Sequence, residues 1–127
     1  MDIVGIIPAR YASVRLPGKP LVDLGGKSMI VRTYQQAVKV KQFAIVVVAT
    51  DDERIYREVL SANGNVVMTS SAHCSGTDRC AEALQQLHYD PQQTIVVNIQ
   101  GDEPFIQPEQ IEELIHCINR EKSQIAT

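Results

Sequence analysis

The chain has 127 residues, 44% of them hydrophobic, 21% charged and 5% aromatic with no Trp, at a formal charge of −3. That length fits one domain with a buried core. It excludes a membrane span, because no apolar run approaches the ~20 residues required, and the few aromatics argue against a base-stacking platform. Charge is uneven: residues 1–41 carry seven cations and two acids, residues 42–127 five cations and thirteen acids. A basic third on an acidic chain points to a local anion site, whereas a nucleic-acid partner calls for a basic balance overall.

Taken in chain order, "DIVGII" (2–7) reads as a buried strand. The acid ahead of its apolar run fits a strand better than a signal peptide, so a cytoplasmic protein is expected. "MIVRTYQQAVKV" (29–40) has helical spacing, with Ile30, Tyr34 and Ala37 or Val38 inward and Ser28 as N-cap. "FAIVVVA" (43–49) is a β-branched run expected in a strand covered on both faces. Thr50 and Glu53 match a capping box for a helix with Ile55, Val59 and Ala62 on one face, stopped by Gly64. "NVVM" (65–68) is a short strand, 77–88 a helix with Cys80, Leu84 and Leu87 inward, and "TIVVNI" (94–99) a buried strand. The segment 108–120 predicts a helix with Pro108 at its first position and Ile111, Leu114, Ile115 and Ile118 on one face. "QIAT" (124–127) reads as the start of another strand. Alternating strands and helices predict a three-layer α/β/α domain with a mainly parallel sheet. Ligands in such sheets sit at the carboxyl ends of the strands.

Three segments fall at those ends. "IIPARYASVRLPGKPL" (6–21) places Arg10, Arg15 and Lys19 on a proline-stiffened loop. Phosphates need cations at fixed positions, and Pro reduces the entropy lost in ordering them; a solvated basic loop explains the charge but not the stiffness. A P-loop is excluded by spacing, since Leu21 and Ser13 stand where its first Gly is needed. "QGDEP" (100–104) puts Asp102 just past a buried strand, where Mg2+ is held by one or two carboxylates with water and phosphate oxygens. Gly101 permits close backbone approach. Glu103 is the adjacent alternative ligand, and a turn or helix-cap role is the plainer reading. "HCSGTDR" (73–79) precedes a helix, so Ser75 or Thr77 either caps it or, with backbone N–H groups, holds a ribose or base edge. Asp78 and Arg79 pair with each other or with the opening loop. Cys74, Cys80 and Cys117 contain no CxxC pair and read as free buried thiols, and His73-Cys74 alone cannot make a tetrahedral zinc site. His73, His88 and His116 have no evident nucleophile partner, and His88 and His116 read as structural or surface residues. A phosphate cradle, a metal carboxylate and a small polar loop at one sheet edge point to chemistry on a nucleotide.

Those stretches, with "ATDDERI", "VMTS" and "VVNIQGDEPFI", resemble the 3-deoxy-manno-octulosonate cytidylyltransferases, the CMP-Kdo synthetases, over residues 3–127. "SGTDR" and "NIQGDEP" favour the Kdo branch over the sialic-acid branch. The resemblance implies the nucleotide-diphospho-sugar transferase fold, which is Rossmann-like. It also implies Mg2+-dependent transfer of CMP from CTP to Kdo, with pyrophosphate release, for lipopolysaccharide synthesis. By position, Pro8, Ala9, Arg10, Ser13, Arg15 and Lys19 would line the phosphates and part of the base. Met68, Thr69, Ser75, Gly76 and Thr77 would lie near the cytidine. Gln100 and Asp102 would face the ribose and metal, with Asp102 the ligand. Catalysis would be in-line attack by the anomeric hydroxyl on the α-phosphorus, with Arg10, Lys19 and Asp102-bound Mg2+ offsetting charge.

Members of that family are roughly twice as long as this chain. Residues 1–127 are therefore expected to be the nucleotide-binding half of a truncated enzyme that is inactive alone and a homodimer at full length. The missing half would carry most of the sugar pocket and a second metal carboxylate. Two alternatives stand beside this reading: a different acidic sugar (amino-Kdo or a sialic acid), and a non-catalytic CTP-binding fragment.

Overall fold

The computed structural model describes residues 2–11, 18–71 and 76–126, with side chains from 78 to 118 in the last span. Four strands, β1 (Asp2–Ala9), β2 (Ile45–Thr50), β3 (Val66–Met68) and β4 (Thr94–Asn98), pair in parallel in the order β3-β2-β1-β4. The pairing sets Val4 between Ile45 and Val96, and Ile6 between Val47 and Asn98. Four helices connect or follow them: α1 (Met29–Ala37), α2 (Glu53–Ser61), α3 (Gly76–Gln86) and α4 (Pro108–Ala126). Short 3-10 turns lie at Lys19–Leu21 and Pro91–Gln93.

Side chains alternate along β1 and β2, so each strand supplies both faces. Ile7, Ala9, Val46 and Val48 pack with Ile30 and Tyr34 of α1, Ile55 and Val59 of α2, and Ile111 and Ile115 of α4. Val4, Ile6, Val47 and Ala49 pack on the other face with Cys80, Ala83 and Leu84 of α3. The expected three layers are therefore present. The distribution follows from right-handed crossovers. The chain steps outward from β1 through β2 to β3 with α1 and α2 on one face. It then reverses to reach β4 beyond β1, which throws α3 onto the opposite face.

Local chemistry refines the predicted boundaries. Ser28 caps α1 as expected, its hydroxyl accepting from Val31 N–H at 3.4 Å. Ala37 rather than Val38 turns inward, Val38 being 46% exposed. Asp52, not Thr50, caps α2: its carboxylate accepts from the N–H groups of Arg54 (2.9 Å) and Ile55 (3.2 Å). Thr50 instead ends β2 opposite Met68, fully buried, and its hydroxyl accepts from Asp52 N–H. At the far end of α2, Ala62 is exposed and Asn63 takes the left-handed conformation (φ 61°) expected of a glycine. Asn63 N–H donates to Leu60 O and Gly64 N–H to Val59 O, a Schellman closure. In α4, Leu114 is half exposed while Ile111 and Ile115 are buried. The expected strand at "QIAT" is not formed, because α4 runs on to Ala126. No Gly or Pro falls between Gln110 and Ala126 to stop it, and one β-branched residue, Ile125, does not outweigh its helix-forming neighbours.

Candidate active site

The strand order reverses between β1 and β4, and that is where an open parallel sheet leaves a crevice at its carboxyl edge. The chain leaves β1 through Arg10 and Tyr11 and leaves β4 through Gln100, Gly101 and Asp102. Across the crevice Lys19 Nζ stands 3.4 Å from Asp102 Oδ2, joining residues 83 apart in sequence. Two expected site residues, one from the opening loop and one from "QGDEP", thus meet at the switch point. Gly101 lets this happen: a Cβ there would stand 3.3 Å from the Pro8 carbonyl oxygen. The Thr33 hydroxyl, 3.1 Å from both the Met29 and Gly101 carbonyl oxygens, ties the same turn to α1.

The base of the opening loop is fastened at described residues on either side of it. Gly18 N–H donates to the Tyr11 carbonyl at 2.8 Å, and Gly18 adopts φ +77°, which favours glycine. The Tyr11 ring covers it, since a Cβ on Gly18 would fall 3.0 Å from Cε2. The Arg54 guanidinium carbon lies 3.3 Å from the centroid of the same ring. Asp52 holds Arg54 in turn, with Nη2–Oδ2 at 2.7 Å and Nε–Oδ1 at 3.2 Å. The Arg54 side-chain bond, joined by the cap N–H groups of Ile55 and Arg54, holds the Asp52 carboxyl below the ordinary carboxylate range despite partial burial.

A third cluster closes the ends of β2 and β3. Arg79 of α3 is 1% exposed. Its Nη1 donates to Thr69 Oγ1, and its Nη2 stands 3.6 Å from Asp51 Oδ2. Among the described residues the partners of Arg79 are thus Asp51 and Thr69 rather than Asp78, and the expected pairing with residues 12–17 of the opening loop lies outside the described residues. Thr69 N–H donates to Thr50 O at 2.8 Å, and Gln86 Nε2 to Met68 O at 2.7 Å. Sequence reading missed the Arg79–Asp51 and Tyr11–Arg54 contacts. The only available signal was that all four residues sit at strand exits or helix starts.

Of the expected site residues, Pro8, Ala9, Arg10, Lys19, Met68, Thr69, Gln100 and Asp102 all lie at the carboxyl edge. Ala9 and Thr69 are buried there, while Arg10 and Gln100 are exposed. Gly76 and Thr77 begin α3. Ser13, Arg15 and Ser75, with His73 and Cys74, lie outside the described residues. The basic third is not one site. Arg32 donates to the carbonyls of Leu24 and Gly25, and Lys27 to Gln35, so these cations fasten the turn before α1 and the helix itself. Cys80 and Cys117 are free, as expected, but Cys80 is buried while Cys117, on α4, is exposed instead; burial pushes the Cys80 thiol up to about 11, so it stays protonated at neutral pH. None of the described helices is long and apolar enough to cross a membrane.

An open parallel α/β sheet with a paired cation and carboxylate at its switch point is the class this architecture defines. The family model described as "Cytidylyltransferase" matches residues 4–127, and the chain belongs to that family. It is 55% identical to 3-deoxy-manno-octulosonate cytidylyltransferase of Parabacteroides distasonis over 100% of its own length and 49% of the relative's. It is 54% identical to the protein of that name from Bacteroides thetaiotaomicron, with the same coverage. Among solved structures it superposes on CMP:2-keto-3-deoxy-manno-octonic acid synthetase complexed with CTP at a TM-score of 0.88 and 43% identity, covering 96% of this chain and 49% of that one. The chain spans about half the length of the curated relatives it matches.

Proposed function

We propose that residues 1–127 form the nucleotide-binding half of an enzyme that transfers CMP from CTP to 3-deoxy-manno-octulosonate and releases pyrophosphate. The observation that carries this reading is the meeting of Lys19 and Asp102 at the β1/β4 switch point. An ammonium and a carboxylate there serve opposite needs of one substrate: the ammonium faces phosphate oxygens and the carboxylate a cation bound to them. Arg10, exposed one residue past β1, adds a planar fork on the same edge. Gln100 and the backbone around Gly101 lie beside it for the ribose, and Met68 ends, with Thr69 just past it, the strand that would border the cytidine. These residues act by binding, orienting and offsetting charge, with no covalent intermediate.

Mg2+ fits Asp102 as a cation shared with substrate oxygens. Asp102 is a single carboxylate, 53% exposed, and among the described residues no group of three or more His, Cys, Asp or Glu forms a protein cage. When bound, the ion would supply charge stabilisation at the phosphates. The reading places the enzyme in lipopolysaccharide synthesis in the cytoplasm, as a homodimer at full length, with the 127-residue chain alone inactive. The test is pyrophosphate release with CTP, Mg2+ and Kdo, run on the full-length protein and on residues 1–127. Turnover by the full-length protein only supports the reading; its absence with Kdo but presence with another acidic sugar would reassign the acceptor. Saturable CTP binding without turnover in either would leave a binding module.

A further inference from the structure

The Tyr11–Arg54 stack lies outside every role given above, yet it touches the site on two sides. Tyr11 is one residue after Arg10, and its carbonyl is bonded to Gly18, one residue before Lys19. Its ring rests against Gly18 and against Arg54. Arg54 is anchored by Asp52, whose carboxylate also caps α2. A chain of contacts therefore runs from the rigid start of α2, through the ring, to the backbone carrying both Arg10 and Lys19. Arg54 is itself half exposed and already partnered, so a direct phosphate contact would have to break its bonds to Asp52.

We infer that Tyr11 and Arg54 are positioning residues, which lock the exit of β1 to α2 and thereby hold Lys19 opposite Asp102. This rests on the CTP reading for its consequence in binding, though not for the lock itself. Flat aromatic area is what the lock requires, so Phe should replace Tyr while an aliphatic residue should not.

Two measurements on the full-length protein test it. In limited trypsin digestion without nucleotide, cleavage of the Arg10–Tyr11 bond should accelerate about tenfold in Tyr11→Leu and Arg54→Gln but less than about twofold in Tyr11→Phe. In CTP titrations, both disruptive variants should weaken binding about five- to tenfold, and on a Lys19→Ala background neither should weaken it further, because they act through Lys19. Unchanged cleavage in Tyr11→Leu overturns the lock. Accelerated cleavage with unchanged CTP affinity, or full additivity with Lys19→Ala, overturns the positioning role. If the wild-type protein binds no CTP, the nucleotide reading fails while the cleavage result still decides the lock.

Discussion

Replacing Lys19 with Ala separates the structural from the functional value of the cation at the switch point. Lys19 and Asp102 are 3.4 Å apart, with side chains 41% and 53% exposed. A pair that wet contributes about 0–1 kcal/mol to stability, so Lys19→Ala should lower Tm by no more than about 4 °C. Facing a phosphate oxygen about 4 Å away, the same ammonium is worth about 4 kcal/mol at an effective dielectric near 20. Its exposure reduces this to about 2–3 kcal/mol, the range of hydrogen bonds to charged groups. That corresponds to a loss of about 30- to 150-fold in kcat/KM. Pyrophosphate release by the full-length protein at saturating and limiting CTP, beside a thermal melt, measures both quantities. A near-normal kcat/KM would refute the role of Lys19. A melt lowered far beyond that range would mean the residue supports the fold instead.

Other perturbations probe the neighbouring contacts. Asp102→Asn should abolish turnover together with its magnesium dependence; an unchanged Mg2+ titration would pass the ligand role to Glu103 or another acid. Arg79→Ala empties a fully buried position and strands Thr69 and Asp51, so urea unfolding should show a loss of about 3 kcal/mol; a loss below about 1 would mean water replaces the guanidinium. Asp52→Ala removes the cap of α2 and should cost about 1 kcal/mol at neutral pH. Because the folded carboxyl titrates below its ordinary value, its charged form stabilises the fold above the unfolded pKa, and that contribution is lost as pH falls through the folded pKa. The wild-type advantage over Asp52→Ala should therefore narrow in acid melts below about pH 4; a constant gap would show that the charge is irrelevant to the cap.

The elements were legible because their signals are local and dense. The short β-branched run ending at Thr50 reads as a strand by its length and branching, and the apolar spacing of Ile30, Tyr34 and Ala37 fits a helical period alone. The carboxyl-edge position of Lys19 and Asp102 was legible too, since it follows from a parallel sheet. Their contact was not, because nothing local to either residue encodes a partner 83 positions away. Arg79 was misassigned for a related reason. A helix-start arginine beside an aspartate reads as that aspartate's partner, and only the packing of α3 under the ends of β2 and β3 turns it to Asp51 and Thr69 as a buried clamp. The end of α4 failed on a weaker cue, one apolar pair read as a strand where no breaker stops the helix.

The late insertion of β4 beside β1 also fixes when the crevice can exist. β1, α1 and β2 pair with what precedes them in the chain, so none of their contacts with one another waits for a later element. The carboxyl side of the crevice comes from Asp102, so a ribosome must release more than a hundred residues before both walls can close. Until then Lys19 faces water on an incomplete sheet whose β1 edge is bare. On the CTP reading, a nucleotide held by Lys19 and Asp102 needs both walls in place, so its stabilising effect falls on states in which β4 is already docked.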